Sequence, residues 1–229
     1  MATPIVVSLT KNKEHSMGEA ARKSDQDLKR KRVINAPVGD RLLAVADEPL
    51  NNTTTKPIGW LVGVHGGAGA TTLAALLAPF MDSHGVIPAQ DDPRTCILVA
   101  QSHKAGLKKL LDAILQFDTD QAGGAELLGV VIVETQPGKT PKALLGDIQR
   151  ITEAAPGGNV WHVPFVESWR THLPKELPEW APGDELPENM SRSERKARSN
   201  PLRFVPESIA VDAADMFERA LVAYKRQTS

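Results

Sequence analysis

Residues 59–77 read GWLVGVHGGAGATTLAALL, an apolar run that enters a glycine-rich turn and leaves it as a helical pattern beginning at Thr71. Glycines allow backbone N–H groups to crowd around an anion, and the unsatisfied N–H groups at a helix start favour negative charge. The stretch therefore predicts a strand, a phosphate-cradling loop and a helix.

The rest of the chain continues this alternation of strands and helices. Near-continuous apolar runs, typical of parallel strands covered on both faces, occupy residues 60–64, 96–100, 128–133 and 160–165. Apolar residues at helical spacing follow them, at 73–80, 107–114, 144–151 and 206–226. We expect an α/β domain over residues 57–229, with a reduced parallel sheet flanked by helices.

Composition narrows the functional classes. The 229 residues are 41% hydrophobic and carry a net charge of −1. Because the net charge is close to zero, the chain as a whole has no electrostatic field that attracts nucleic acid or anionic lipid. The single cysteine, Cys96, excludes an internal disulfide and fits a reducing cytosol. No apolar run is long enough to predict a transmembrane segment, and we expect a cytoplasmic protein.

Two segments depart from the alternating pattern. Residues 1–56 mix charges without a period and predict a disordered or loosely docked tail, with a short docking element at 33–45. Residues 166–205 are interrupted by prolines and predict an irregular insertion, with a helix only around 188–199.

Each of these segments carries a basic cluster. The clusters are either a nucleic-acid, membrane or partner surface, or solvated side chains. Their members are Lys29, Arg30, Lys31 and Arg32 in the tail, and Arg192, Arg195, Lys196 and Arg198 in the insertion.

The glycine loop resembles a known nucleotide-binding motif. Residues 65–72 (HGGAGATT) are similar to the deviant Walker A pattern KGGxGKTT of the ParA/MinD group of P-loop ATPases, but His65 and Ala70 stand where the pattern has lysine. The resemblance implies a P-loop NTPase-like fold and ATP or ADP as cofactor, with Thr71 binding Mg²⁺ if a nucleotide binds. It implies phosphate contacts by His65, Gly66, Gly67, Ala68, Gly69, Ala70, Thr71 and Thr72.

Weaker similarities to the same family lie further along. Residues 128–133 resemble its late strand, Val163 and Pro164 its strand–proline step beside the adenine pocket, and residues 206–210 its closing helix. The switch and Walker B aspartates have no evident counterpart, because Asp91 and Asp92 lie in a proline-flanked loop. Phosphoryl transfer depends on charge neutralisation, so we expect negligible ATP hydrolysis.

A cation from another loop is one replacement for the absent lysine. The loops that follow parallel strands meet at one edge of the sheet, which places Lys139 near the glycine loop. The alternative is a turn with a solvated Lys139. The six histidines form no H-x-x-x-H pair and lack cysteine partners, which argues against a zinc-type site.

These features favour a degenerate ParA/MinD-like protein that binds nucleotide weakly, or not at all, without hydrolysing it. We expect it to act as an assembly partner of a DNA partition, conjugal-transfer or secretion machine, with a homodimer as one arrangement. The general pattern also resembles small actinobacterial proteins of mobile elements. The alternatives are an active ATP-binding switch of the ParA/MinD type, and a nucleic-acid or membrane adaptor that uses the basic segments.

Overall fold

The apolar runs form one parallel sheet in the computed structural model, which describes residues 36–50, 56–186 and 189–228. Within these ranges the sheet has five strands in the order β2-β1-β3-β4-β5, and all neighbouring pairs are parallel. The strands are β1 (Gly59–Gly63), β2 (Phe80–Asp82), β3 (Thr95–Gln101), β4 (Glu126–Val133) and β5 (Val160–Val163). The predicted α/β class and parallel sheet are confirmed.

Helices cover both faces of this sheet. They are α1 (Ala70–Leu76), α2 (Lys104–Asp118), α3 (Lys142–Ala154) and α5 (Glu207–Thr228). A further short helix, α4 (Arg192–Ala197), buries none of its residues. Successive strand residues point to opposite faces. Leu61 and Val131 therefore pack in the core shared with α1 and α5, whereas Trp60 and Val130 pack in the core shared with α2 and α3. This two-sided burial explains why the strands read as unbroken apolar runs.

Strand β2 corrects one expectation. The sequence shows no strand between the first helix and Cys96, yet Phe80–Asp82 pairs with β1 and ends in a carboxylate. The strand has three residues, lies at the sheet edge and leaves Met81 exposed. A strand this short shows no periodicity, so the aspartate at its end was missed.

The described part of the predicted tail, residues 36–50, lies against this domain. Backbone N–H and C=O of Leu43 both bond to the Gln116 side chain, at 2.8 and 2.9 Å. Ala44 and Ala46 exchange backbone hydrogen bonds with Ile87. The basic residues Lys29, Arg30, Lys31 and Arg32 lie outside the described residues, so their predicted role is still a prediction.

Two tryptophans attach the irregular 166–205 segment to the sheet layers. Trp180 is buried and pairs through its backbone with Leu76 and Ala78, and Trp169 packs against the core shared with α1 and α5. Within the segment, Trp169 Nε1 donates to the Pro201 carbonyl at 2.9 Å. The helix predicted around 188–199 is α4, capped by Ser191. Among the helices in the described ranges, none has the length and apolar character needed to cross a membrane.

Candidate functional site

The glycine loop connects β1 to α1 at the carboxyl end of the central part of the sheet. Gly67 and Gly69 have φ of +77° and +99°, which residues with a Cβ rarely adopt. A Cβ at Gly69 would lie 3.4 Å from the Val133 side chain. The glycines are therefore required by the backbone path of this loop.

His65 fastens the loop to the neighbouring strand. Its Nε2 accepts a hydrogen bond from the Gln101 backbone N–H at 3.2 Å, and its Nδ1 lies 3.0 Å from the Gly66 carbonyl. Because a ring nitrogen that accepts from an N–H carries no proton, these contacts fix the neutral imidazole with the proton on Nδ1. His65 thus positions the glycine loop against the end of β3.

Thr71 and Asp82 form a hydroxyl–carboxylate pair across the loop. Thr71 Oγ1 donates to Asp82 Oδ2 at 2.5 Å, and the His84 backbone N–H donates to Asp82 Oδ1 at 2.8 Å. Since the Thr71 proton points to the carboxylate, the lone pairs of its oxygen stay available to a cation. Sequence reasoning named Thr71 but missed Asp82.

These groups line a cavity of about 900 Å³ at the carboxyl edge of the sheet. Small-molecule sites typically occupy 300–1,000 Å³ and lie at this edge in open α/β sheets. The loop residues 63–73 form one wall, and residues 133–135 and 163–166 form another. All of the predicted loop residues, from His65 to Thr72, line this one cavity.

The charges around the cavity are few. Asp82 and Glu134 supply carboxylates, and the Glu134 oxygens accept from Ser102 Oγ at 2.7 Å and Thr140 Oγ1 at 2.9 Å. Arg170 also lines the cavity. The loop contributes no lysine or arginine. At position 70, where the KGGxGKTT pattern has lysine, Ala70 presents only a largely buried methyl group.

The other predicted cations lie elsewhere. Lys139 is exposed and is not one of the residues that line the cavity. In α4, Arg195 lies 3.5 Å from Glu207, and the Arg198 guanidinium lies over the Phe204 ring at 5.5 Å. Arg192 and Lys196 are exposed on the same helix. The structure therefore separates the α4 cluster from the glycine loop.

Two observations limit the chemistry of the domain. Complete burial raises the pKa of the Cys96 thiol, so it stays protonated and is no nucleophile. In the described part of the chain, no group of three or more histidine, cysteine, aspartate or glutamate side chains is placed to hold a metal ion.

The Thr71–Asp82 pair nevertheless fits Mg²⁺ in company with a phosphate. Mg²⁺ takes oxygen ligands and is commonly held by one or two protein groups together with substrate phosphates and water. The Thr71 hydroxyl and the Asp82 carboxylate, which both line the cavity beside the glycine loop, are oxygen ligands of this kind.

Comparison of the chain with protein families, with curated proteins and with solved structures gives no significant match.

Proposed function

We propose that the chain binds ATP or ADP with Mg²⁺ at the glycine loop and does not hydrolyse the nucleotide. The observation that carries this proposal is the hydrogen bond between Thr71 and Asp82 beside the glycine loop, at a cavity large enough for a nucleotide. This pair gives Mg²⁺ a hydroxyl and a carboxylate where the phosphates would lie.

The loop and the opposite wall divide the cavity into regions of different chemistry. The first intrahelical bond of α1 runs from Leu73 N to Gly69 O, so the N–H groups of the preceding turn have no intrahelical acceptor and are available to an anion. Pro164, Phe165 and Trp169 line the other side and offer apolar surface to a base. A nucleotide matches both regions if its phosphates lie at the glycine loop and its base lies against the apolar wall.

The absence of turnover follows from charge. A lysine at position 70 would neutralise developing charge on a transferred phosphoryl group, and the Ala70 methyl group cannot. The carboxylates of Asp82 and Glu134 add negative charge to the same cavity. Bound Mg²⁺ offsets the negative charge of the carboxylates, so the nucleotide can bind. The transition state of phosphoryl transfer still lacks the lysine that would neutralise its developing charge.

At the level of biology, we propose a degenerate ParA/MinD-like P-loop protein that is an assembly partner in a DNA partition, conjugal-transfer or secretion machine. The similarity of residues 65–72 to the KGGxGKTT pattern supports this proposal. One observation favours the alternative of an active ATPase switch: Asp82 provides a carboxylate beside Thr71, which the sequence analysis found missing.

Thermal shift and phosphate release together separate these functions. With Mg²⁺, ATP and ADP are expected to raise the Tm of the wild-type chain, and Thr71→Val is expected to remove that rise. Phosphate release should match a no-protein control. Release well above the control, lost in Thr71→Val, would show an active ATPase, whereas no Tm rise with either nucleotide would contradict nucleotide binding.

A further inference from the structure

We infer that Arg170 is the residue that binds the phosphates of the ligand, supplying from the segment after β5 the positive charge that the glycine loop lacks. The inference rests on the proposed function of the cavity. It assigns a role in ligand binding to a residue of the irregular 166–205 segment.

The charge balance of the cavity leads to Arg170. Asp82 and Glu134 each accept hydrogen bonds from neighbouring groups, so both carboxylates are already held in place. Arg170 is exposed, and within the described ranges its guanidinium has neither a salt bridge nor a hydrogen-bond partner. Among the described residues that line the cavity, Arg170 is the one arginine, and none is a lysine.

The backbone that carries Arg170 is firmly held. Arg170 lies in the 3₁₀ turn Glu167–Thr171, where Trp169 N bonds to Val166 O at 3.1 Å. The Trp169 indole is tied in turn to Pro201 at 2.9 Å. Trp169 also packs against the core shared with α1 and α5, so the long side chain of Arg170 starts from a turn that is attached to that core.

Arginine suits this task because its planar guanidinium presents several N–H donors to phosphate oxygens at once. Lys139 is the rival, since the sequence places it on a neighbouring loop. Its neighbour Thr140 is held by Glu134 at 2.9 Å, and Lys139 is not part of the cavity wall. The geometry thus points to Arg170 rather than Lys139.

The test compares dissociation constants of Mg²⁺-ATP and of inorganic triphosphate for the full chain and four variants. Arg170→Ala is expected to weaken both ligands about 10-fold or more, because a charge-assisted hydrogen bond contributes roughly 1.5–3 kcal/mol. Arg170→Lys should recover part of the loss. Arg192→Ala, a matched exposed arginine outside the cavity, and Lys139→Ala should bind as the wild type does. Melting curves check that each variant is folded.

The outcomes distinguish the role of Arg170 from nucleotide binding itself. If the wild type binds but Arg170→Ala binds within twofold of it, the role of Arg170 is wrong and the proposed function stands. A loss in Lys139→Ala alone would assign the charge to Lys139. If the wild type binds neither Mg²⁺-ATP nor triphosphate, the proposed function and the role of Arg170 are both wrong.

Discussion

The Thr71 hydroxyl donates a 2.5 Å hydrogen bond to Asp82, which joins the first turn of α1 to the end of the edge strand β2. A second bond, from the His84 backbone N–H, holds the other carboxylate oxygen at 2.8 Å. The carboxylate is therefore oriented before any ligand arrives, and the lone pairs of the threonine oxygen stay available to a cation. This relationship makes Mg²⁺ dependence the most specific property that we expect of the site.

Asp82→Asn should remove most of the effect of Mg²⁺ on nucleotide affinity. Asparagine can keep both contacts if its oxygen accepts from the His84 N–H and its NH₂ group donates to the Thr71 oxygen, so we expect the fold to be retained while the negative charge that attracts Mg²⁺ is lost. We expect the affinity for Mg²⁺-ATP to fall about 10-fold, toward the value without metal, since charged partners contribute more than neutral ones. Asp91→Asn, an exposed aspartate away from the cavity, is the control. Unchanged Mg²⁺ dependence in Asp82→Asn would contradict a metal-binding role for Asp82.

Ala70→Lys should strengthen nucleotide binding without creating an ATPase. Ala70 is one of the residues that line the cavity and its methyl group is largely buried, so we expect the longer side chain of a lysine here to extend its ammonium group toward the phosphates. One charge-assisted hydrogen bond predicts a gain of about 10-fold or more in affinity. Titration measures the affinity, and a phosphate-release assay measures turnover. A weaker complex in a folded Ala70→Lys variant would mean that the loop does not hold phosphate.

Gly69→Ala should destabilise the chain, because alanine at a φ of +99° is strained by roughly 1–2 kcal/mol. Gly66→Ala is the matched control, since a Cβ there meets nothing within 4 Å and its φ is not positive. Denaturant unfolding of the two variants measures the difference. Equal stability of the two variants would show that the loop adopts a different backbone path.

His65→Ala should loosen the loop by leaving the Gln101 backbone N–H without its acceptor. A neutral hydrogen bond contributes about 0.5–1.5 kcal/mol, so nucleotide affinity is expected to fall about 2- to 10-fold. His162→Ala, an exposed histidine on β5, should leave the affinity unchanged. If His65→Ala binds as tightly as the wild type, His65 does not position the loop.

Two aspartates of α5 should respond to pH in opposite directions. Burial raises the pKa of Asp212, so its ionised form destabilises the folded state once the pH exceeds the unfolded pKa. For Asp215 burial acts in the same direction, but hydrogen bonds from Arg219 and Trp161 outweigh it and lower the pKa. Asp212→Asn should therefore raise the Tm at pH 7, and Asp215→Asn should lower it.

The Asp212 difference should shrink as the pH falls through its raised folded-state pKa and should vanish below the unfolded value of about 4, whereas the Asp215 difference should shrink only as the pH falls below about 4 toward its lowered folded-state pKa. Melting curves from pH 3 to pH 7 measure the two trends. The same sign of Tm change at pH 7 in both variants would contradict the assigned environments.

Several features of the fold were predictable because each is local. Strands β1, β3 and β4 are buried on both faces, so each appears in the sequence as an apolar run, and the edge strand β5 was recognisable from its apolar residues although His162 is exposed. The glycine loop was predictable because Gly67 and Gly69 are required by the backbone path.

Long-range features of the site were not predictable. Asp82 ends a three-residue strand without a periodic pattern. The contact of His65 joins residues 36 positions apart, and Arg170 reaches the cavity from a 3₁₀ turn. Their positions depend on how distant segments pack, which local propensity does not encode. Sequence spacing placed Lys139 at the right edge of the sheet but could not show which side chains line the cavity.

Calorimetric titration of the full wild-type chain with ATP and with ADP, each with and without Mg²⁺, tests the central claim most directly. We expect that one nucleotide binds per chain, that it binds more tightly with Mg²⁺, and that ATP is recovered intact after the titration. A folded chain that gives no binding heat with either nucleotide, in the presence or absence of Mg²⁺ and at more than one temperature, would contradict it.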